Sequence, residues 1–177
     1  MEEIVLVNLI EHDPDALLDH LMDEHGQAIL NLAYSYVKDV EIAKDLTQEI
    51  FIKTYQRIDQ FQQKSSLKTW LWRIAINHCK DYVRSWNYRN VITTEDNLEE
   101  SLSLGENTEQ QVIKLEEESQ LLKEVLHLPE LYREVIYLFY FEESTLKEIA
   151  ALLNINTNTV KTRLRRAKEL LRQRLED

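Results

Sequence analysis

TLKEIAALLNINTNTVKTRLRRAKELLRQRL, residues 145–175, is the stretch that decides how this chain is read. Leu146, Ile149, Ala150 and Leu153 recur at i, i+3, i+4 and i+7, the buried face of a short helix. The tetrad NINT follows, with Ile155 as an apolar plug and Asn156 or Thr157 able to cap the next helix. Val160, Leu164, Ala167 and Leu171 then fall at i, i+4, i+7 and i+11, a second core stripe. The small Ala150 and Ala167 let two helices approach closely, as a helix-turn-helix requires.

The other side of the last helix carries Lys161, Arg163, Arg165, Arg166, Lys168, Arg172 and Arg174 against one acid, Glu169, before the terminal Glu-Asp. Lys161, Thr162, Arg165 and Arg166, in its N-terminal half, are spaced to reach base edges in a major groove. Arg163 and Lys168 suit backbone phosphates. A basic solvated helix is the bland alternative. The combination of core stripe, capped turn and basic outer face favours DNA.

Working outward, helical periodicity covers about 130–141 and, before Pro129, about 109–128. Residues 91–108, VITTEDNLEESLSLGENT, lose the periodicity and read as a linker, extended or partly ordered. Upstream the pattern predicts helices near 15–24, 27–38, 40–58 and 67–86, with Asp39 capping the third and Ser65 or Ser66 the fourth.

Two of these helices carry further constellations. Val40, Ala43, Leu46, Ile50 and Ile58 form a buried side, while Asp45, Gln48, Glu49 and Ile52 recur on another face. An isoleucine within an acid-amide stripe suggests a partner with basic and apolar groups. On spacing alone a wet face with a stray isoleucine fits as well. In the next helix Arg73, Asn77, Lys80 and Arg84 make a mostly basic stripe beside Trp70, Trp72 and Trp86, preceded by Lys64, Ser65 and Ser66. Cations, aromatics and adaptable polar groups suit unstacked bases. The alternative places the tryptophans in the core, and Leu71, Ile74 and Ala75 favour that reading for Trp70.

Composition bounds the rest. Two Gly and two Pro in 177 residues favour long helices with short connections, and no alternating run marks a strand, so the fold class is all-α. A net charge of −11 opposes nucleic-acid binding until it is divided. Residues 1–90 carry 10 basic and 14 acidic side chains, residues 91–120 carry 1 and 9, and residues 121–177 carry 10 and 9. Most of the excess acid therefore lies in one middle segment. The lone Cys79 cannot form an internal disulfide, the N-terminus lacks a basic signal start, and Val135 to Phe141 is too short to span a bilayer. A cytoplasmic protein without membrane insertion is expected. The histidines at 12, 20, 25, 78 and 127 lack metal-ligand spacing, and no phosphate loop or nucleophile elbow occurs, so neither a metal, a cofactor nor an enzyme is expected.

Four segments together, AKDLTQEIFIKTY (43–55), FQQKSSLKTWLWRIAINHCKDYVR (61–84), LPELYREVIYL (128–138) and LKEIAALLNINTNTVKTRLRRAKELLR (146–172), resemble the extracytoplasmic-function (group 4) sigma factors of bacterial RNA polymerase, in the sigma-70 family. The resemblance implies two small helical domains, sigma-2 over 1–90 and a sigma-4 helix-turn-helix over 119–177, joined by a flexible acidic linker over 91–118. It implies that Asp45, Gln48, Glu49 and Ile52 dock on core polymerase, at the clamp helices of its largest subunit, with sigma-4 on the flap of the second-largest. It also implies that Lys64, Ser65, Ser66 and Asn77 capture the melted −10 element, and Arg73 and Lys80 of the basic stripe are expected to join them. Lys161, Thr162, Arg165 and Arg166 would read the −35 element of promoter DNA, with Arg163 and Lys168 expected on its phosphates. An anti-sigma factor is a further expected partner. Two modest basic surfaces on an acidic chain predict weak promoter binding by the free protein and strong binding only on the polymerase. A stand-alone helix-turn-helix regulator would explain residues 144–174 but leave the acidic stripe and the Trp-rich helix unused.

Overall fold

The computed structural model describes residues 9–10, 12–93 and 119–176. Helix α1 (Pro14–Val37) begins where Asp13 accepts from the Ala16 amide at 3.0 Å, with proline at a first-turn position that needs no N–H donor. The expected pair of helices at 15–24 and 27–38 is instead this one continuous rod. Gly26 lowers helix propensity locally. However, Leu17 and Leu21 before it and Ile29, Leu32, Ala33 and Tyr36 after it bury one shared face. Each fully buried leucine or isoleucine contributes roughly 1.5–3 kcal/mol, more than the glycine costs. Lys38, in the left-handed region at φ 57°, ends the helix.

Helix α2 (Val40–Gln56) is capped by Asp39, which accepts from the Ile42 amide at 2.9 Å. Ala43, Leu46, Ile50, Phe51 and Thr54 are buried, and Val40, expected among them, is half-buried. A 3-10 turn, Ile58–Gln60, leads through FQQKSS to helix α3 (Leu67–Thr93). Of the two candidate caps it is Ser66 that accepts from the Thr69 amide, at 3.1 Å. Helix α3 runs past the expected end at 86, so residues 91–93 of the expected linker are helical. The remainder of that linker, and the first ten residues of the helix expected over 109–128, lie outside the described residues.

Helix α4 (Ser119–His127) stops before Pro129. Its orphan carbonyls meet a buried side chain: Arg133 donates to Leu126 and Leu128, each at 3.0 Å. Helix α5 (Glu130–Ile136) continues as a π-helical turn, Tyr137–Phe141, which leaves Tyr140 at the surface while Tyr137 and Leu138 stay buried. Helix α6 (Leu146–Leu153) opens with a capping box between Thr145 and Glu148 and closes on Asn154 at φ 54°. Asn156 caps helix α7 (Thr157–Glu176), accepting from the Thr159 amide at 2.7 Å.

Helices α1 to α3 pack on one another, and α4, α5 and α6 pack on α7. The two groups also touch, α3 against α6 and α1 against α5. The interior holds Cys79, whose thiol is pushed up to about 12 by burial and stays protonated at neutral pH. Among the described residues no helix is long and apolar enough to cross a membrane.

Candidate nucleic-acid interface

The α6–α7 turn is built as its spacing predicts, except that Leu146 is half-buried rather than buried. Val160, Leu164, Ala167 and Leu171 are buried, together with Ile149 and Leu153 of α6. Leu152 joins them, and Ala150 and Ile155 pack half-buried at the edge. With that face fixed, Lys161, Thr162, Arg165, Arg166 and Lys168 are exposed along one side of α7. Arg166 reaches Glu169 at 3.1 Å, an exposed pair that water and salt weaken and that a phosphate can displace. Lys168 lies 5.5 Å over the Tyr140 ring and 6.0 Å over Phe139, so the π-helical turn steadies one cation of the row.

Arg163 does not belong to that outer row. Its side chain is 25% exposed and turns inward to Glu134, whose side chain is 4% exposed, at 3.2 Å. Residue 163 lies on the flank of α7 that faces α5, so the side chain expected to suit backbone phosphates rests on Glu134 in this structure. The Glu134 carboxylate also accepts from the Tyr36 hydroxyl at 3.0 Å and from Lys80 Nζ at 2.8 Å. Burial first, and then Glu134, push the Tyr36 hydroxyl well above its ordinary range, so it remains a donor.

On α3 the expected stripe divides. Lys64, Ser66 and Asn77 are exposed, Ser65 and Arg73 are half-buried, and Lys80 is held by Glu134. Ser66 spends its hydroxyl on the helix cap, leaving Lys64 and Asn77 the freer groups. Of the tryptophans, Trp70 is less enclosed than expected. Trp72, 2% exposed, is the core residue, edge-on to His25 at 5.1 Å, whereas Trp70 is half-buried against Phe61. Trp86 is 41% exposed and remains available for stacking.

On α2 the Asp45, Gln48, Glu49 and Ile52 stripe is wholly exposed, with Ile52 at 55%. Glu49 is positioned by His78 of α3, at 2.6 Å, and the other ring nitrogen of His78 meets Lys53 at 2.7 Å. Glu134 and Tyr36 were not singled out from sequence, and His78 was considered only as a metal ligand and set aside. One signal was available for Glu134: a carboxylate within the apolar run VIYLF and its flank is costly unless paired. Its partners, 98 and 54 residues upstream and 29 downstream, leave no local trace.

The family description Sigma-70 region 2 matches residues 21–88, and Sigma-70, region 4 matches residues 118–171. The chain is 37% identical over 172 residues to the ECF RNA polymerase sigma factor SigW of Bacillus subtilis (strain 168), covering 93% of this chain and 91% of that protein. This chain belongs to the extracytoplasmic-function sigma factors of the sigma-70 family. Its fold is shared with CnrH, solved in complex with the cytosolic domain of CnrY, at a TM-score of 0.72 and 21% identity over 98% of this chain and 96% of that one. It is also shared with the sigma factor RpoE of Bartonella quintana, solved in complex with the anti-sigma factor NepR, at 0.71 and 23% over 89% and 96%. The sigma factor is a transcription initiation protein and not an enzyme. Among its described residues no group of three or more His, Cys, Asp or Glu side chains is arranged to hold a metal.

Proposed function

We propose that this sigma factor divides promoter recognition among three surfaces. Lys161, Thr162, Arg165, Arg166 and Lys168 of α7 read the −35 element in the major groove, with Arg163 nearer the phosphates. Lys64, Ser65, Ser66, Arg73, Asn77 and Lys80 hold the melted −10 element. Asp45, Gln48, Glu49 and Ile52 of α2 dock on the clamp helices of core polymerase, and the C-terminal helices dock on the flap. The domains run over 1–90 and 119–177, with an acidic connection at 91–118. The protein acts in the cytoplasm, where the polymerase is.

One observation carries this reading: the exposed row on α7 stands on a fully buried stripe, so its side chains project together from a rigid element. An apolar residue 55% exposed among Asp45, Gln48 and Glu49 supports the docking surface. The RpoE structure, solved with the anti-sigma factor NepR, supports an anti-sigma factor as the regulator here. Single-round transcription with core polymerase tests the whole. Initiation should depend on this chain and should fall when Ile52→Glu is introduced, with duplex binding by α7 intact. A chain that represses or activates without altering polymerase specificity would instead be a stand-alone regulator.

A further inference from the structure

We propose that His78 is a positioning residue for polymerase docking: backed by Lys53, it holds the Glu49 carboxylate of α2 in place, and fully charged, for a cation of the core enzyme. The proposal rests on the docking surface proposed above and names what prepares one of its acids.

The ring, carried by α3, stands between two groups of α2. Its Nδ1 lies 2.7 Å from Lys53 Nζ and its Nε2 lies 2.6 Å from Glu49 Oε2. An ammonium only donates, so Nδ1 must accept, and an imidazole that accepts at Nδ1 is neutral with its proton on Nε2. That proton is donated to Glu49. The two contacts therefore select one tautomer and one ring orientation. The His78 side chain is 12% exposed, whereas that of Glu49 is 57% exposed, so a sheltered ring steers a carboxylate that faces solvent.

Glu49 and Lys53 stand at i and i+4, the spacing at which they would otherwise pair directly along α2. A direct pair would turn the carboxylate along the helix and would have to break when a cationic partner arrives. The ring takes the lysine's donor instead and offers the carboxylate a neutral N–H. Glu49 keeps its charge, and its second oxygen can still accept from a partner. Ordering adds to this. An exposed glutamate left to sample its rotamers must be fixed on binding, at a cost of about two- to tenfold in affinity. His78 removes that cost beforehand. Ile52, one turn further along α2 and 55% exposed, supplies apolar contact beside it. The partner group this arrangement fits is an arginine or lysine with an apolar neighbour.

The test is competition of full-length variants against labelled wild-type chain for core polymerase. His78→Ala should weaken binding about three- to tenfold. His78→Gln should return it to within about twofold of wild type, because its amide oxygen accepts and its nitrogen donates, spaced much as the ring nitrogens are. In a Glu49→Ala background His78→Ala should change nothing further, as befits two residues acting through one contact. If His78→Ala fails to fold, His78→Leu takes its place, filling the same space with neither bond. Weakening that persists in the Glu49→Ala background, or that His78→Gln does not reverse, would make His78 a mere staple between helices and overturn the proposal. So would unchanged affinity of His78→Ala beside a weakened Glu49→Ala. If Glu49→Ala and Ile52→Glu both bind as the wild type does, the docking surface itself falls, and the proposal with it.

Discussion

Helices α3 and α7 each carry a basic stripe, and their fates differ. In α7 the stripe lies opposite a continuous core face, and Lys161, Arg165, Arg166 and Lys168 are all exposed. In α3 the stripe divides: Asn77 and Arg84 are exposed, Arg73 is half-buried, and Lys80 ends on the buried Glu134. Arg163 behaves like a residue of α3: one step off the outer face of α7, it meets the same acid. A helical repeat says which side chains share a face. Whether that face meets solvent depends on what packs there, and the two helices separate these questions.

The largest effect expected from disturbing either side is structural. Ile149→Ala empties a fully buried site under α7 and should cost about 2–5 kcal/mol, read by urea denaturation of the full chain. One transition shifting as a whole would mean that the α3 and α7 sides unfold together. Two transitions, with only one displaced, would mean that the contact between the groups is weak.

The comparison is sharpest at the arginines of α7. Arg165→Ala or Arg166→Ala should each reduce −35-dependent initiation about tenfold or more, at about 1–3 kcal/mol per base contact, with the melting temperature unchanged. Arg163→Ala should show the reverse: promoter preference retained, and stability lower by about 1–3 kcal/mol because Glu134 loses a donor in a buried place. An Arg163→Ala variant with normal stability and lost promoter preference would break the distinction drawn here.

Smaller effects lie at the helix ends. Thr145→Ala removes the capping box of α6 and should cost about 1 kcal/mol. The Thr145 backbone amide, then its hydroxyl, hold the Glu148 carboxyl below its ordinary range. A carboxylate depressed on folding contributes stability that is complete above its unfolded value and lost as pH falls below it. The difference between wild type and Glu148→Gln should therefore shrink on acidification below about pH 4.5. Gly26→Ala should have the least effect and the opposite sign. Its added Cβ meets nothing within 4 Å, so a gain of about 0.5–1 kcal/mol is expected in thermal denaturation.

Legibility followed the range of the interaction. The caps at Asp39, Ser66, Thr145 and Asn156 depend on groups three residues away, and the sequence named Asp39 outright and offered Ser66 and Asn156 among two choices each. The Thr145 box went unremarked although both its residues are local. The break at residues 25–26 was misjudged because local propensity argues for it, while burial of Leu21 and Ile29 against other helices argues against it. Trp70, expected in the core, is only half-buried against it for a related reason, while Trp72, left open between core and stacking, is enclosed. Both sit among apolar neighbours, and only the helices packed on α3 select which ring is enclosed.

By itself the sequence determined the all-α class, the helix-turn-helix, its exposed basic face and the family, since each rests on periodicity, capping and residue order within one segment. Tertiary structure decided which cations are free. Glu134 gathers Tyr36, Lys80 and Arg163 from distant segments, because a carboxylate buried among apolar side chains must find donors wherever the packed helices bring them.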